Sequence, residues 1–370
     1  MKFKVKAPGF EQTYERWTDA LAAANGLKPE LKSWFKDIRI FAGEDLIWVY
    51  SKLRSHPEYI GPGTYNRLAR LFIAEAQDEA VQSAQAAASW QIRQHRLAWG
   101  ERTYLMGVLN VTPDSFSDGG QFNVPDAALQ QARTLAQSVD ILDIGGQSTR
   151  PGAEQISPEA ELERVLPVIQ AIRAEADEPL RSVPISVDTT RAAVARAAIA
   201  AGADIINDIS GGTYEPEILK VAAECDCPII LMHIRGTPET MQQLTDYSDL
   251  MDEIAEFFVT QTERAQAAGI PRHQIALDPG IGFAKTAEQN LVILRSLSQL
   301  RPLGCPLLVG PSRKRFIGKI LDQPDPQQRG WGTAAACCAA IAQGADILRI
   351  HDGAEIRDVA LVADAVWRGI

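Results

Sequence analysis

Asp188, Asn207, Asp278 and Lys314 are a set of acceptors and donors suited to a flat nitrogen heterocycle. A carboxylate takes an amidine-like N–C–N edge through paired hydrogen bonds, while an amide and an ammonium read ring N–H and carbonyl groups. A second set suits phosphate: Asn110, Thr149, Arg150, Arg349 and His351 supply an amide, a hydroxyl, two guanidinium forks and an imidazole. Arginine matches phosphate oxygens through its bidentate geometry. Arg150 lies in GGQSTRPG, residues 145–152, where small residues leave backbone N–H groups free to meet an anion. Taken singly, each residue has a plainer reading. Asp188 precedes Thr189 and Asp278 precedes Pro279-Gly280, so either fits a helix cap or a turn, and Arg150 alone fits a solvated loop charge.

Position joins the two sets. Short β-rich runs at residues 104–110, 141–145, 184–188, 205–208, 228–233, 274–278, 306–310 and 347–350 alternate with amphipathic stretches such as 125–138, 158–174, 191–201, 249–268 and 287–300. Gly202 and Gly269 stand where a helix should end before the next strand. Eight strands with helical crossovers predict an α/β fold, a closed (β/α)8 TIM barrel. Each strand ends in polar groups: Asn110, Asp143, Asp188, Asn207 with Asp208, His233, Asp278, Ser312 with Arg313 and Lys314, and Arg349 with His351. In a barrel those ends converge on one mouth. A doubly wound open sheet is the alternative, but its G-x-G-x-x-G phosphate signature is absent after the first strand. Residues 90–104 suit a hairpin closing the barrel floor.

Residues 1–86 read differently, as a small, mainly helical module with helices at 14–25 and 63–88 and aromatic residues of its own, among them Trp17, Trp34, Phe41 and Trp48. No motif there carries chemistry, so docking or oligomerisation is the expected role. Two Gly-, Ser- and Pro-rich segments, residues 112–120 with Phe116 as their one aromatic and residues 147–157, suit loops that close over substrate.

A net charge of −10 argues against general nucleic-acid binding, which needs a basic surface. No apolar run approaches the roughly 20 residues of a membrane span, and no apolar stretch follows the basic N-terminus as a secretory signal requires. The five cysteines have neither redox nor zinc spacing, which suits small buried apolar groups in a reducing cytoplasm.

From about residue 90 onward the chain resembles the dihydropteroate synthase family. The resemblance rests on MGVLNVTPDSFSDGG (106–120), DIGGQSTRPG (143–152), ISVDT (185–189), IND (206–208), LMH (231–233), LDPG (277–280), SRK (312–314) and RIHD (349–352), in the family's order. It implies condensation of 6-hydroxymethyl-7,8-dihydropterin diphosphate with p-aminobenzoate, releasing pyrophosphate by a dissociative route, in a cytoplasmic homodimer. Carried over, Asp188, Asn207, Asp278, Lys314 and Arg349 would hold the pterin. Asn110, Thr149, Arg150, Arg349 and His351 would hold the diphosphate, with Asn110 also on its Mg²⁺. Phe116, Thr149, Pro151 and Lys314 would enclose p-aminobenzoate, and Asp188, Lys314, Arg349 and His351 would act in catalysis. The chain departs from the family pattern in having Gln147 where Glu is usual, and Arg315 where many members have Ser. A pterin-binding methyltransferase would share the barrel but has no use for the diphosphate set. An inactive pterin-binding paralogue would be expected to have lost ligands that are all present here.

Overall fold

The computed structural model describes residues 3–7, 10–14, 37–42, 45–51, 89–112, 124–149, 152 and 155–369. The chain divides into two compact units, Met1–Ala84 and Gln85–Ile370. In the first unit the described residues are strands: β1 (Phe3–Ala7), β2 (Phe10–Tyr14), β3 (Asp37–Ala42) and β4 (Asp45–Ser51). They form an antiparallel sheet in the order β2-β1-β3-β4. The expectation of a mainly helical module is corrected over these residues. Phe3-Lys4-Val5-Lys6 and Ile38-Arg39-Ile40 alternate apolar with charged, the period of a half-covered strand rather than a helix. Beyond Tyr14, which ends β2, the two expected helices lie outside the described residues.

In the second unit an antiparallel hairpin, β5 (Ser89–Ile92) and β6 (His95–Ala98), comes first. Eight parallel strands follow: β7 (Tyr104–Asn110), β8 (Ile141–Gly145), β9 (Ile185–Asp188), β10 (Ile205–Asp208), β11 (Ile229–Met232), β12 (Ile275–Asp278), β13 (Leu308–Val309) and β14 (Ile347–Ile350). Their order is β12-β11-β10-β9-β8-β7-β14-β13, and a parallel bridge from Leu277 to Leu307 closes the ring. This is the (β/α)8 barrel expected from the alternation of strands and helices.

The helices lie between the strands: α1 (Val124–Ala136), α2 (Pro158–Ala174), α3 (Glu178–Ser182), α4 (Ala192–Ala201), α5 (Glu217–Glu224), α6 (Leu250–Ala267), α7 (Ala287–Ser296), α8 (Arg315–Leu321), α9 (Gly330–Ala342) and α10 (Gly353–Arg368). Local chemistry sets their limits. Ser157 and Asp249 cap α2 and α6 by accepting backbone N–H bonds, and Thr286 with Gln289 makes a reciprocal capping box on α7. None of the helices among the described residues is long and apolar enough to cross a membrane.

The strands are apolar on both faces because both are covered, as parallel sheets require. Their inner residues Met106, Ile141, Ile205, Ile230, Ala276, Leu308 and Ile347 pack on Trp90, Ile92 and Leu97 of the hairpin, which floors the barrel as expected. Trp90 Nε1 donates to the carbonyl of His273 at 2.7 Å. At the opposite end the strand register aligns Asn110 with Gly145, Gly145 with Asp188, and Asp188 with Asn207. Registered neighbours in parallel strands point the same way, so β-sheet geometry alone sets three polar side chains and one gap in a row.

Candidate active site

The gap in that row is Gly145. A Cβ there would lie 3.4 Å from the Asp188 Cβ and 3.7 Å from Asn110 Oδ1, so any side chain would fill the space between them. Two residues back along β8, Asp143 is wholly buried and reaches inward. Its Oδ2 accepts from Arg349 Nε at 2.6 Å, and its two oxygens lie 3.3 and 3.2 Å from Asn207 Nδ2. Arg349 Nη2 donates to Asp188 Oδ2 at 2.7 Å. One guanidinium therefore ties the ends of β14, β8 and β9 together. Burial opposes its charge, but Asp143 and Asp188 outweigh burial and hold the guanidinium above its ordinary value. Burial pushes the Asp188 carboxyl up, and Arg349 pulls it back.

Asp278 ends β12 and has both of the roles its sequence context allowed. One oxygen accepts from the Gly280 N–H at 2.7 Å, as a turn residue does, while the side chain still faces the barrel mouth. Gly280 has φ +70°, and a Cβ there would come within 2.1 Å of the His233 carbonyl oxygen, so only glycine fits the turn. Burial raises the Asp278 carboxyl to about 6 despite the Gly280 N–H and the cations of Lys314, Arg349 and Lys285. Lys314 stands at the N-terminus of α8 with its ammonium 4.3 Å from the centre of the Phe283 ring. Burial and Arg349 lower it to about 8, against the opposing pull of Asp278.

Lys285 belongs to the same wall and was not singled out in the sequence. It is 3% exposed, lines the cavity, and places Nζ 2.8 Å from the Phe283 carbonyl and 3.0 Å from His233 Nδ1. Burial takes it down to about 7. Nζ also donates toward the His233 carbonyl at 3.4 Å. The lysine pins the turn carrying Phe283, and through that ring it supports Lys314. The LDPG motif ends five residues before Lys285, and that proximity was the only sequence signal.

Asn110, Thr149, Asn207, Asp278, Lys314, Arg349 and His351 line one cavity of about 1060 Å³. Asp188 lies beside it, lining a smaller pocket shared with Thr149, and reaches it through Arg349. Phe116, Arg150 and Pro151 lie outside the described residues. Not every polar strand end converges. Asp208 turns away to accept from the Ser210 N–H and hydroxyl and the Gly212 N–H, making a turn. His233 is buried edge-on against Phe257, and burial with Lys285 and Arg235 lowers it to about 2, so it is a neutral acceptor.

The two departures from the family pattern also have places. Gln147 Oε1 accepts from the Ile156 N–H at 2.9 Å and Nε2 donates to the Ser148 carbonyl at 2.9 Å. Arg191 takes the Ile156 carbonyl and pairs with Glu161 at 2.9 Å, so both polar groups of Ile156 are held. A glutamate at position 147 would keep the acceptor and lose the donor. Arg315 is exposed at the start of α8 and lines the cavity rim. Of the cysteines, Cys227, Cys305 and Cys337 are buried as expected, Cys225 and Cys338 are half-buried, and all five are free.

The family model described as "Pterin binding enzyme" matches residues 106–351. The dihydropteroate synthase of Synechocystis is 63% identical over 271 residues, covering 73% of this chain and 92% of that protein. Among solved structures, the Clostridium difficile dihydropteroate synthase determined in the presence of pteroic acid is 42% identical with a TM-score of 0.68, covering 73% of this chain and 98% of that one. The Xanthomonas albilineans enzyme with 4-aminobenzoic acid is 40% identical with a TM-score of 0.70, covering 75% and 98%.

Proposed function

The chain belongs to the pterin-binding enzyme family, and we infer that it carries out the dihydropteroate synthase reaction. This transferase condenses 6-hydroxymethyl-7,8-dihydropterin diphosphate with p-aminobenzoate to give 7,8-dihydropteroate and pyrophosphate. The observation that carries the reading is the mixed chemistry gathered at one cavity. Asn207, Asp278 and Lys314, of types suited to a heterocycle, line it together with Asn110, Thr149 and His351, of types suited to phosphate, and Arg349 lines it while pairing with Asp188 beside it. A hydrophobic slot alone would give no reason for eight polar groups at this depth.

The residues divide the work as follows. Asp278 and Asp188 accept from the pterin's amidine-like edge, and Asn207, its amide oriented by Asp143, reads the neighbouring ring groups. Lys314 donates to the ring carbonyl side. Arg349 lies against the ring and faces the diphosphate, which His351, Thr149, Asn110 and Arg150 also contact. The bond from the exocyclic methylene to the diphosphate oxygen breaks first, its electron pair leaving with pyrophosphate. The carbon left behind is an electron-poor centre delocalised into the pterin, with Asp188 and the departing anion as counter-charges. The p-aminobenzoate nitrogen attacks with its lone pair and releases a proton. A neutral arylamine is nucleophilic enough that no general base is required. Phe116, Thr149, Pro151 and Lys314 enclose the ring of p-aminobenzoate.

Mg²⁺ suits this donor set. Among the described residues no cluster of three metal-ligating side chains occurs, and Mg²⁺ is commonly held by one or two protein oxygens together with substrate phosphates. Asn110 would supply the protein oxygen, and the ion would neutralise charge developing on the leaving diphosphate.

A cytoplasmic homodimer completes the proposal. Leu361, Val362, Val366 and Trp367 are exposed on α10, Trp331 is 90% exposed on α9, and α9 packs against α10. An apolar face of this kind suits a self-complementary contact. Residues 1–86 are assigned to docking or oligomerisation rather than chemistry. The deciding experiment measures pyrophosphate release by the purified chain with dihydropterin diphosphate and Mg²⁺, with and without p-aminobenzoate, alongside Arg349→Ala. Release matched by dihydropteroate formation, and lost in the variant, is expected. Pterin binding without turnover would overturn the reading.

A further inference from the structure

We propose that Ser312 is a positioning residue that fixes the tautomer of His351, so that the imidazole presents its Nε2–H to the substrate's diphosphate. The proposal rests on the diphosphate role given to His351 above. Its basis is a pair of contacts at one hydroxyl. Ser312 Oγ lies 3.3 Å from the backbone N–H of His351, for which it must be the acceptor, and 3.0 Å from His351 Nδ1. A hydroxyl has one hydrogen and two lone pairs. Ser312 is 3% exposed, and among the described residues its hydroxyl has no acceptor other than Nδ1. Donation to Nδ1 satisfies the buried hydrogen, and the ring proton is then on Nε2. The other arrangement, Nδ1–H donating to Oγ, leaves the hydroxyl hydrogen without a protein partner and turns the Nε2 lone pair toward phosphate oxygens.

The backbone around Ser312 is held in place for this contact. Arg313 has φ +58°, a strained value for a residue with a side chain. Its N–H donates to Thr333 Oγ1 at 3.0 Å, its carbonyl accepts from Arg329 at 2.9 Å, and its guanidinium pairs with Asp352. That pairing also occupies the carboxylate nearest His351 in the chain. Burial, with Arg349, Arg313 and Lys314, lowers the imidazole to about 3, so the ring is neutral and the choice of tautomer decides whether it is a donor.

The test uses the full chain. Two-bond proton–nitrogen NMR correlation of ¹⁵N-histidine-labelled protein, assigned by comparison with His351→Gln, should show His351 with its proton on Nε2, and a mixed pattern in Ser312→Ala. Inorganic pyrophosphate should bind Ser312→Ala roughly 5- to 10-fold more weakly, the loss expected for one misdirected hydrogen bond, and Ser312→Thr should restore it. In a His351→Gln background, where the amide N–H needs no tautomer set, adding Ser312→Ala should change affinity less than about twofold. An Nδ1–H tautomer with normal pyrophosphate binding, or an equal loss in both backgrounds, would overturn the Ser312 proposal alone. Failure of the unaltered chain to bind pyrophosphate would overturn the diphosphate reading and this role with it.

Discussion

Arg349 Nε lies 2.6 Å from Asp143 Oδ2, and this contact joins the last strand of the barrel to its second. Asp143 lines neither pocket and is wholly buried, yet it orients two residues that do line the site, Arg349 and Asn207. Asp143→Ala should therefore reduce kcat/KM for the pterin substrate by about 100-fold through misplacement of both. It should also cost about 1–3 kcal/mol of stability, since Asp188 still pairs with the guanidinium. Steady-state kinetics together with urea denaturation test this. A stability loss with unchanged kcat/KM would reduce Asp143 to a purely structural residue.

The dependence of kcat/KM on pH reports groups in the free enzyme. Asp188, raised to about 7, and Asp278, raised to about 6, must both be ionised to accept from the pterin, so activity should fall as pH drops through that range. Lys314, lowered to about 8, must be protonated to donate, so activity should fall again as pH rises through it. A bell with its acidic limb between about 6 and 7 and its basic limb near 8 is expected, the values belonging to the coupled site rather than to any residue alone. In Asp278→Asn most of the activity should be lost and the acidic limb should become less steep, leaving the ionisation of Asp188. An acidic limb of unchanged steepness and position would assign it to groups other than Asp278.

The barrel and most of its site were legible in the sequence because parallel strands fix position. Once residues 104–110 and 141–145 are strands, Asn110 and Gly145 follow at their ends, and the register carries the row to Asp188 and Asn207. Asp143 was visible as a polar strand residue, but that it serves Arg349, 206 positions away, needs the closed ring. Lys285 was hidden because a lysine in a loop reads as solvated, and its burial against His233 and Phe283 is visible only in the fold. Asp208 and His233 show the converse. A polar group at a strand end can turn away from the mouth when a following Ser-Gly turn or a buried lysine satisfies it. In the N-terminal unit, β1 and β3 carry a clear alternation over only a few residues each, too short to outweigh the Ala-rich stretches around them.

Lys285 gives a stability prediction with a definite sign. Its folded value is about 7, against 10.5 for a solvated lysine. Between those limits the unfolded chain holds a proton that the native chain lacks, so this group makes native stability rise with pH across the window. Below about 7 both states are protonated and the cost of a buried charge is fully present. Lys285→Met removes the contribution. The variant should be less stable overall, having lost the bonds to Phe283 and His233, and the gap to the unaltered chain should widen from pH 7 toward 10. Urea midpoints across that range decide the matter. A constant gap would mean that Lys285 stays charged in the native state.

Residues 85–370 should suffice for catalysis. Among the described residues, the apolar clusters that build the barrel draw on residues from Trp90 onward, and the cavity is lined by residues from Val108 to His351. The floor that a barrel needs at its N-terminal end is supplied by the β5–β6 hairpin, anchored by Trp90 on His273. A chain lacking residues 1–84 should fold and retain kcat/KM within about twofold, since catalysis depends on the geometry of the barrel mouth. Cutting further, through the hairpin, should instead expose the inner barrel residues that Trp90 and Leu97 cover and cost several kcal/mol, on the order of a large buried side chain for each. Circular dichroism and turnover on the two truncations separate the cases. A folded 85–370 fragment without activity would show that the first unit contributes to the reaction itself.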